Sequence, residues 1–181
     1  MLVLSPAAVH RLMTYTPPHP LPKIFRMKKP NGTLDTALFH GSTINTPSML
    51  CVEDYLDALR CVESIGGLEG CMSRAKANLA VLESFVAAHG DWISFLAIEP
   101  STRSRTSVCL VLKLSKSSLA TLRALLEDAE VAVDIQAYRD APEGLRIWCG
   151  ATVETADVKV LCTWLAWAYD EVIAREVEEV K

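Results

Sequence analysis

Four prolines crowd into residues 17–22: Pro17, Pro18, Pro20 and Pro22. Each locks its own φ, lacks an N–H to donate, and pushes the preceding residue out of the helical region. No helix interior or central strand can pass through them, so the chain from Thr14 to Thr46 is expected to be irregular. A stretch of about thirty residues without regular structure is unusual inside a compact domain. Such a stretch is usually functional or packs on something else.

The flanks of this crossing read differently. Residues 1–4 are wholly apolar and predict a short strand, an edge in need of partners. Ser5-Pro6 has the signature of an N-cap followed by proline at the first helical position, opening a helix to about Met13. Thr46-Pro47 repeats that signature. Val52, Tyr55, Leu56, Leu59 and Val62 follow on one helical face until Gly66-Gly67. A second helix carries Leu68, Met72, Ala75, Leu79, Leu82 and Val86, and ends near His89-Gly90.

Beyond Gly90 the period shortens. Trp92–Ile98 and Ser107–Leu114 predict strands, the latter buried on both faces because residues 108–112 are all apolar. Ser117–Glu130 predicts a helix with Leu119, Leu122, Leu125 and Leu126 inward. Residues 131–137 alternate as a strand, and 145–149 return as another after the Asp140–Gly144 turn. Thr155 is expected to cap a last helix with Val158, Leu161, Leu165, Ala168 and Val172 inward. The order β-β-α-β-β-α predicts an antiparallel or mixed sheet with helices on one side, a small α+β domain over 91–181. Residues 1–90 read as the end of something larger.

Composition narrows the function. The 181 residues are half hydrophobic and carry a net charge of −4. That suits a globular core and argues against bulk nucleic-acid or anionic-membrane binding, though not against a small anion gripped by one or two arginines. No apolar run is long enough for a membrane span, and the start lacks the basic region of a secretory signal. The six cysteines form no CxxC, and no Cys or His pair has zinc spacing, so reduced thiols in a cytoplasmic protein and no metal site are expected. No glycine-rich nucleotide motif occurs, and the scattered histidines suggest no triad.

Two places could bind an anion. Asn45-Thr46-Pro47 puts an amide and a hydroxyl beside free N–H groups at a helix N-terminus; the bland alternative is plain capping. Arg139 and Arg146 flank the Asp140–Gly144 turn and could each hold a carboxylate or phosphate. The alternative there is a solvated hairpin whose arginines pair with Asp140 and Glu143.

Longer motifs carry a resemblance. The run from Ser5 through Leu12, then Tyr15-Thr16-Pro17-Pro18-His19-Pro20-Leu21-Pro22-Lys23-Ile24-Phe25-Arg26, resembles phosphoserine aminotransferases of the proteobacterial kind. So do Thr43-Ile44-Asn45-Thr46-Pro47-Ser48-Met49, Thr102-Arg103-Ser104-Arg105-Thr106, Ala137-Tyr138-Arg139-Asp140 and Gly144-Leu145-Arg146-Ile147-Trp148-Cys149-Gly150-Ala151-Thr152. The resemblance spans nearly the whole chain but only the C-terminal half of such an enzyme. It implies an α/β fold of the fold-type I class that uses pyridoxal 5′-phosphate, here as the end of the large cofactor domain (1–90) plus the small C-terminal domain (91–181). It implies interconversion of 3-phosphohydroxypyruvate and phosphoserine with glutamate and 2-oxoglutarate, and in some members action on a phosphohydroxythreonine.

Residue by residue, Asn45 and Thr46 match a pair contacting the cofactor phosphate of the neighbouring subunit, which implies a homodimer. Arg146 matches the arginine for the substrate α-carboxylate, and Arg139 a substrate-phosphate contact. Tyr138 stands where relatives have a histidine, and its hydroxyl can still donate. The lysine that captures the cofactor aldehyde lies upstream in the family. None of the lysines from Lys23 to Lys181 stands at its motif position, so no catalytic residue is assigned and the chain alone is expected to be inactive. Two alternatives to a catalytic part are a non-catalytic anion-binding module and a module that docks on the full-length enzyme.

Overall fold

The computed structural model describes residues 2–179, and they fall into two compact units divided between Leu59 and Arg60. In the first unit, α1 (Pro6–Thr14) begins as its sequence requires: Ser5 Oγ accepts the Ala8 N–H at 3.2 Å and Pro6 fills the first turn. Residues 2–4 form no strand, and Met1 lies outside the described residues. The apolar run fails as a strand because a strand needs a paired neighbour, and Val3 is exposed instead.

The proline crossing is irregular, as expected. It holds short 3₁₀ turns at Lys23–Phe25 and Thr36–His40 and one isolated bridge, Lys28 to Leu34. Helix α2 (Met49–Ser64) starts later than Thr46-Pro47 predicts. Ser48 caps it, its Oγ accepting the Cys51 N–H at 3.4 Å and its carbonyl the Val52 N–H at 3.2 Å. None of its residues is buried; Tyr55, Leu56, Leu59 and Val62 keep their expected common face but leave it uncovered.

Gly66 and Gly67, at φ 98° and 66°, end α2 and open α3 (Gly67–Ala88). A Cβ on Gly70 would lie 1.8 Å from the Ile65 carbonyl oxygen, so the turn from Ile65 to Gly70 closes only with glycine there. Ala75, Leu79, Leu82 and Phe85 of α3 are buried, whereas Leu68 and Met72, expected on the same stripe, are exposed.

Three antiparallel strands form the sheet: β1 (Ile93–Phe95), β2 (Ser107–Leu112) and β3 (Leu145–Trp148), in that order. Ile93 faces Leu112 and Cys109 faces Arg146. Helix α4 (Lys116–Asp128), capped by Ser115, and α5 (Thr155–Glu179) complete the unit. The core joins Leu79, Leu82, Val108, Leu110, Leu122 and Leu165, with Trp92 stacked on Tyr169 at 4.0 Å.

Two strand expectations need correction. β2 is buried on one face only, with Val108, Leu110 and Leu112 inward and Ser107, Cys109 and Val111 half-exposed. Continuous apolarity hid a two-sided strand. Residues 131–137 form no strand; among the described residues their one β-bridge joins Gln136 to Leu145. Glu130 and Asp134 sit at φ 56° and 57°, a left-handed backbone that cannot propagate as extended chain.

Thr155 is the first residue of α5 rather than its cap. Its hydroxyl instead donates to Asn78 Oδ1 at 2.6 Å, and the Glu154 carbonyl accepts the Val158 N–H.

Candidate functional site

Strand alternation makes the site. Leu145 and Ile147 point into the core, so Arg146 and Trp148 project from the opposite face of β3. Ser107 and Cys109 alternate on β2 in the same sense as their register partners Trp148 and Arg146. This half-exposed sheet face carries the polar chemistry of the second unit.

Arg146 is held at several points. Nη2 donates to the Asp134 carboxylate at 2.9 Å and to the Asp134 carbonyl at 3.3 Å, and Nε donates to the Gln136 carbonyl at 3.4 Å. Its guanidinium carbon lies 4.6 Å from the centre of the Tyr138 ring. The Tyr138 hydroxyl in turn lies 3.5 Å from Ser107 Oγ. The Ser107 contact and the Arg146 charge favour the phenolate and lower the Tyr138 pKa below the ordinary phenol value. The Tyr138 and Asp134 contacts raise the Arg146 pKa further, so its charge is permanent.

The left-handed backbone at Asp134, which ends the expected strand, brings both the carbonyl and the carboxylate of that residue to Arg146. The ion-pair alternative considered for the hairpin therefore takes other partners: Arg146 pairs with Asp134, and Glu143 pairs with Lys116 at 3.1 Å. Arg139 is exposed and joins no ion pair among the described residues.

The loop after β3 is fixed from below. Asn78, fully buried on α3, donates its amide to the carbonyls of Cys149, Gly150 and Val153 at 3.2, 3.3 and 3.0 Å. Arg74 adds a bond to the Ala151 carbonyl at 2.8 Å and an ion pair with Glu154. The Trp148 indole N–H donates to Thr152 Oγ1 at 3.0 Å. On the other flank Arg103 clamps the turn before β2, donating to the carbonyls of Ala97 and Ile98, with its guanidinium 4.1 Å from the Phe95 ring centre. Sequence reasoning missed Asn78, Asp134 and Ser107. The one signal for Asn78 was a lone amide within the apolar stripe of its helix.

Asn45 and Thr46 lie in the first unit, exposed, in the segment leading to the Ser48 cap of α2. Tyr138, Arg139 and Arg146 lie in the second. Because α2 begins only at Met49, Asn45 and Thr46 do not stand at its N-terminus; what they offer a phosphate is an amide and a hydroxyl. None of the lysines among the described residues is buried. Among the described residues, no grouping of three or more His, Cys, Asp or Glu could hold a metal ion.

No protein-family model matches the chain. Among solved structures, a phosphoserine aminotransferase studied for radiation damage to its Schiff base aligns with a TM-score of 0.67 at 15% identity, covering 79% of this chain and 39% of that one. The phosphoserine aminotransferase from Bacillus circulans subsp. alkalophilus aligns with a TM-score of 0.67 at 20% identity, covering 76% of this chain and 37% of that one. The fold is thus that of part of these phosphoserine aminotransferases, the fold-type I architecture.

Within that class, the chain is similar to phosphoserine aminotransferase in sequence as well as in fold. The curated phosphoserine aminotransferases of Methanosarcina mazei and Methanosarcina barkeri are each 56% identical to it over 170 residues, 94% of this chain. The chain spans 45% of the length of either relative, and it fits a C-terminal part.

Proposed function

We propose that this chain supplies the substrate-arginine half of a pyridoxal-phosphate-dependent phosphoserine aminotransferase, a cytoplasmic enzyme of serine biosynthesis. The observation that carries the reading is identity of 56% to two enzymes of that name. It is supported by an arginine presented on the outer face of the sheet with an aromatic ring against it. In this reading residues 1–90 are the end of the cofactor domain and 91–181 the small domain.

Arg146 takes the α-carboxylate of phosphoserine, 3-phosphohydroxypyruvate, glutamate or 2-oxoglutarate through its planar fork. Tyr138 orients the guanidinium and offers its hydroxyl, with Arg139, to the substrate phosphate. Asn45 and Thr46 serve the cofactor phosphate of a second subunit in a homodimer. The bound cofactor supplies the electron sink for nitrogen transfer. The chain's own residues bind and orient. A lysine that captures the cofactor and shuttles the α-proton is not assigned, so the chain alone is inactive in this reading.

Calorimetric titration with phosphoserine tests the binding half. Binding by the chain that disappears in Arg146→Ala supports it, and equal behaviour of both proteins removes it. Adding pyridoxal phosphate, reducing with borohydride and mapping the product tests the other half: stoichiometric labelling of one lysine overturns the inactivity.

The exposed apolar face of α2, formed by Tyr55, Leu56, Leu59 and Val62, favours a second reading in which the chain docks on a full-length relative. Light scattering of the mixture decides, since two species that stay separate exclude it.

A further inference from the structure

The ion pair at the centre of the site raises a question of occupancy. Arg146 Nη2 is already satisfied by the Asp134 carboxylate at 2.9 Å, yet that carboxylate is itself 71% exposed while the Arg146 side chain is 25% exposed. Asp134 therefore reaches from solvent to an arginine whose side chain as a whole is mostly covered. It does so with one oxygen on one nitrogen, whereas a free carboxylate can approach the same fork with two parallel contacts. The other anchors of Arg146 are independent of the Asp134 side chain. The Gln136 and Asp134 carbonyls and the Tyr138 ring hold the guanidinium in place without it.

We propose that Asp134 is an internal stand-in for a ligand carboxylate, covering Arg146 in the empty site and swinging into solvent when a carboxylate ligand makes its paired contacts there. This rests on the reading of Arg146 as the carboxylate-binding group. Asp134 contributes to selectivity as well as to idle-state order. A ligand with a single monodentate oxygen gains little by displacing it, while a planar carboxylate replaces one contact with two. An exposed pair of this kind is weak, so its displacement costs a modest factor in affinity rather than a barrier to binding.

The experiment is calorimetric titration of the 181-residue chain with O-phosphoserine and with O-phosphoethanolamine, which lacks the carboxylate. Two variants are used: Asp134→Asn, which tolerates the left-handed backbone, and Asp134→Gly, which adopts it freely. Both variants are expected to bind phosphoserine about twofold to fivefold more tightly than the parent, with phosphoethanolamine unchanged. The gain vanishes when Arg146→Ala is added. Unchanged or weaker phosphoserine binding in both variants overturns the stand-in, because Asp134 then either positions the arginine productively or is inert. An equal gain for both ligands also overturns it, since that reports only the loss of a negative charge. If the parent and Arg146→Ala bind phosphoserine alike, the carboxylate reading of Arg146 has failed first and takes the stand-in with it.

Discussion

The side-chain oxygen of Asn78 accepts the hydroxyl of Thr155 at 2.6 Å, tying the middle of α3 to the first turn of α5. The amide end of the same side chain spans three carbonyls of the loop between β3 and α5. One fully buried polar side chain thus sets where the strand bearing Arg146 stops and where the last helix starts.

Removing that group takes the amide donor from the Cys149 and Val153 carbonyls, while the Gly150 carbonyl keeps the Val153 N–H; an orphaned carbonyl costs more than the net worth of its bond. Asn78→Ala is expected to lose about 2–4 kcal/mol of stability in urea unfolding. Thr155→Val, which removes one partner only, is expected to lose about 1 kcal/mol. Equal losses in the two variants would show that the loop is held by something else.

Gly144 precedes β3 with no room for a side chain. A Cβ there would lie 2.1 Å from the Leu110 carbonyl oxygen, a backbone atom of the neighbouring strand. Gly144→Ala must displace one strand from the other, and a loss of about 2 kcal/mol or more in thermal unfolding is expected. Gly32, at φ 84° with nothing near its Cβ position, gives a contrast. Gly32→Ala costs only backbone strain, about 1 kcal/mol.

Burial pushes the Cys149 and Cys162 thiols up to about 11. Cys51 and Cys61 are exposed. Thiol-reactive dye at neutral pH should modify Cys51 and Cys61 quickly and reach Cys149 and Cys162 only after denaturant is added. The folded state holds these two protons more tightly than the unfolded chain does. Their contribution to stability is therefore complete below the ordinary thiol pKa and is lost as pH rises toward 11. A denaturant midpoint that is flat or rising over that alkaline range would contradict this.

The contacts of Tyr138 with Ser107 and Arg146 lower its pKa. Ultraviolet titration should show Tyr138 ionising ahead of Tyr169. Ser107→Ala should shift that step upward, and Arg146→Ala should do the same. Tyr169 is pushed upward by burial, and its own step should stay in place in both variants.

The legible parts of this fold were those with local causes. Ser5-Pro6 set the start of α1, the glycine pair separated α2 from α3, and the leucine spacing of α4 placed Leu119, Leu122 and Leu126 inward. The resemblance to phosphoserine aminotransferase was legible for the same reason, because a motif is a string of residues. Burial was not legible: the α2 stripe looked like core and stays exposed among the described residues, and β2 looked doubly buried and shows one face outward.

The amino-acid order alone determined where backbone geometry is forbidden or permitted, since proline, glycine and capping side chains act within a few residues of themselves. Tertiary structure alone decided which partners polar groups found. Asn78 meets carbonyls more than seventy residues away, and Arg146 meets Asp134 only because a left-handed turn bends the intervening chain back onto β3. Such pairings depend on which faces the packed helices and strands turn toward each other, a property that no window along the chain contains.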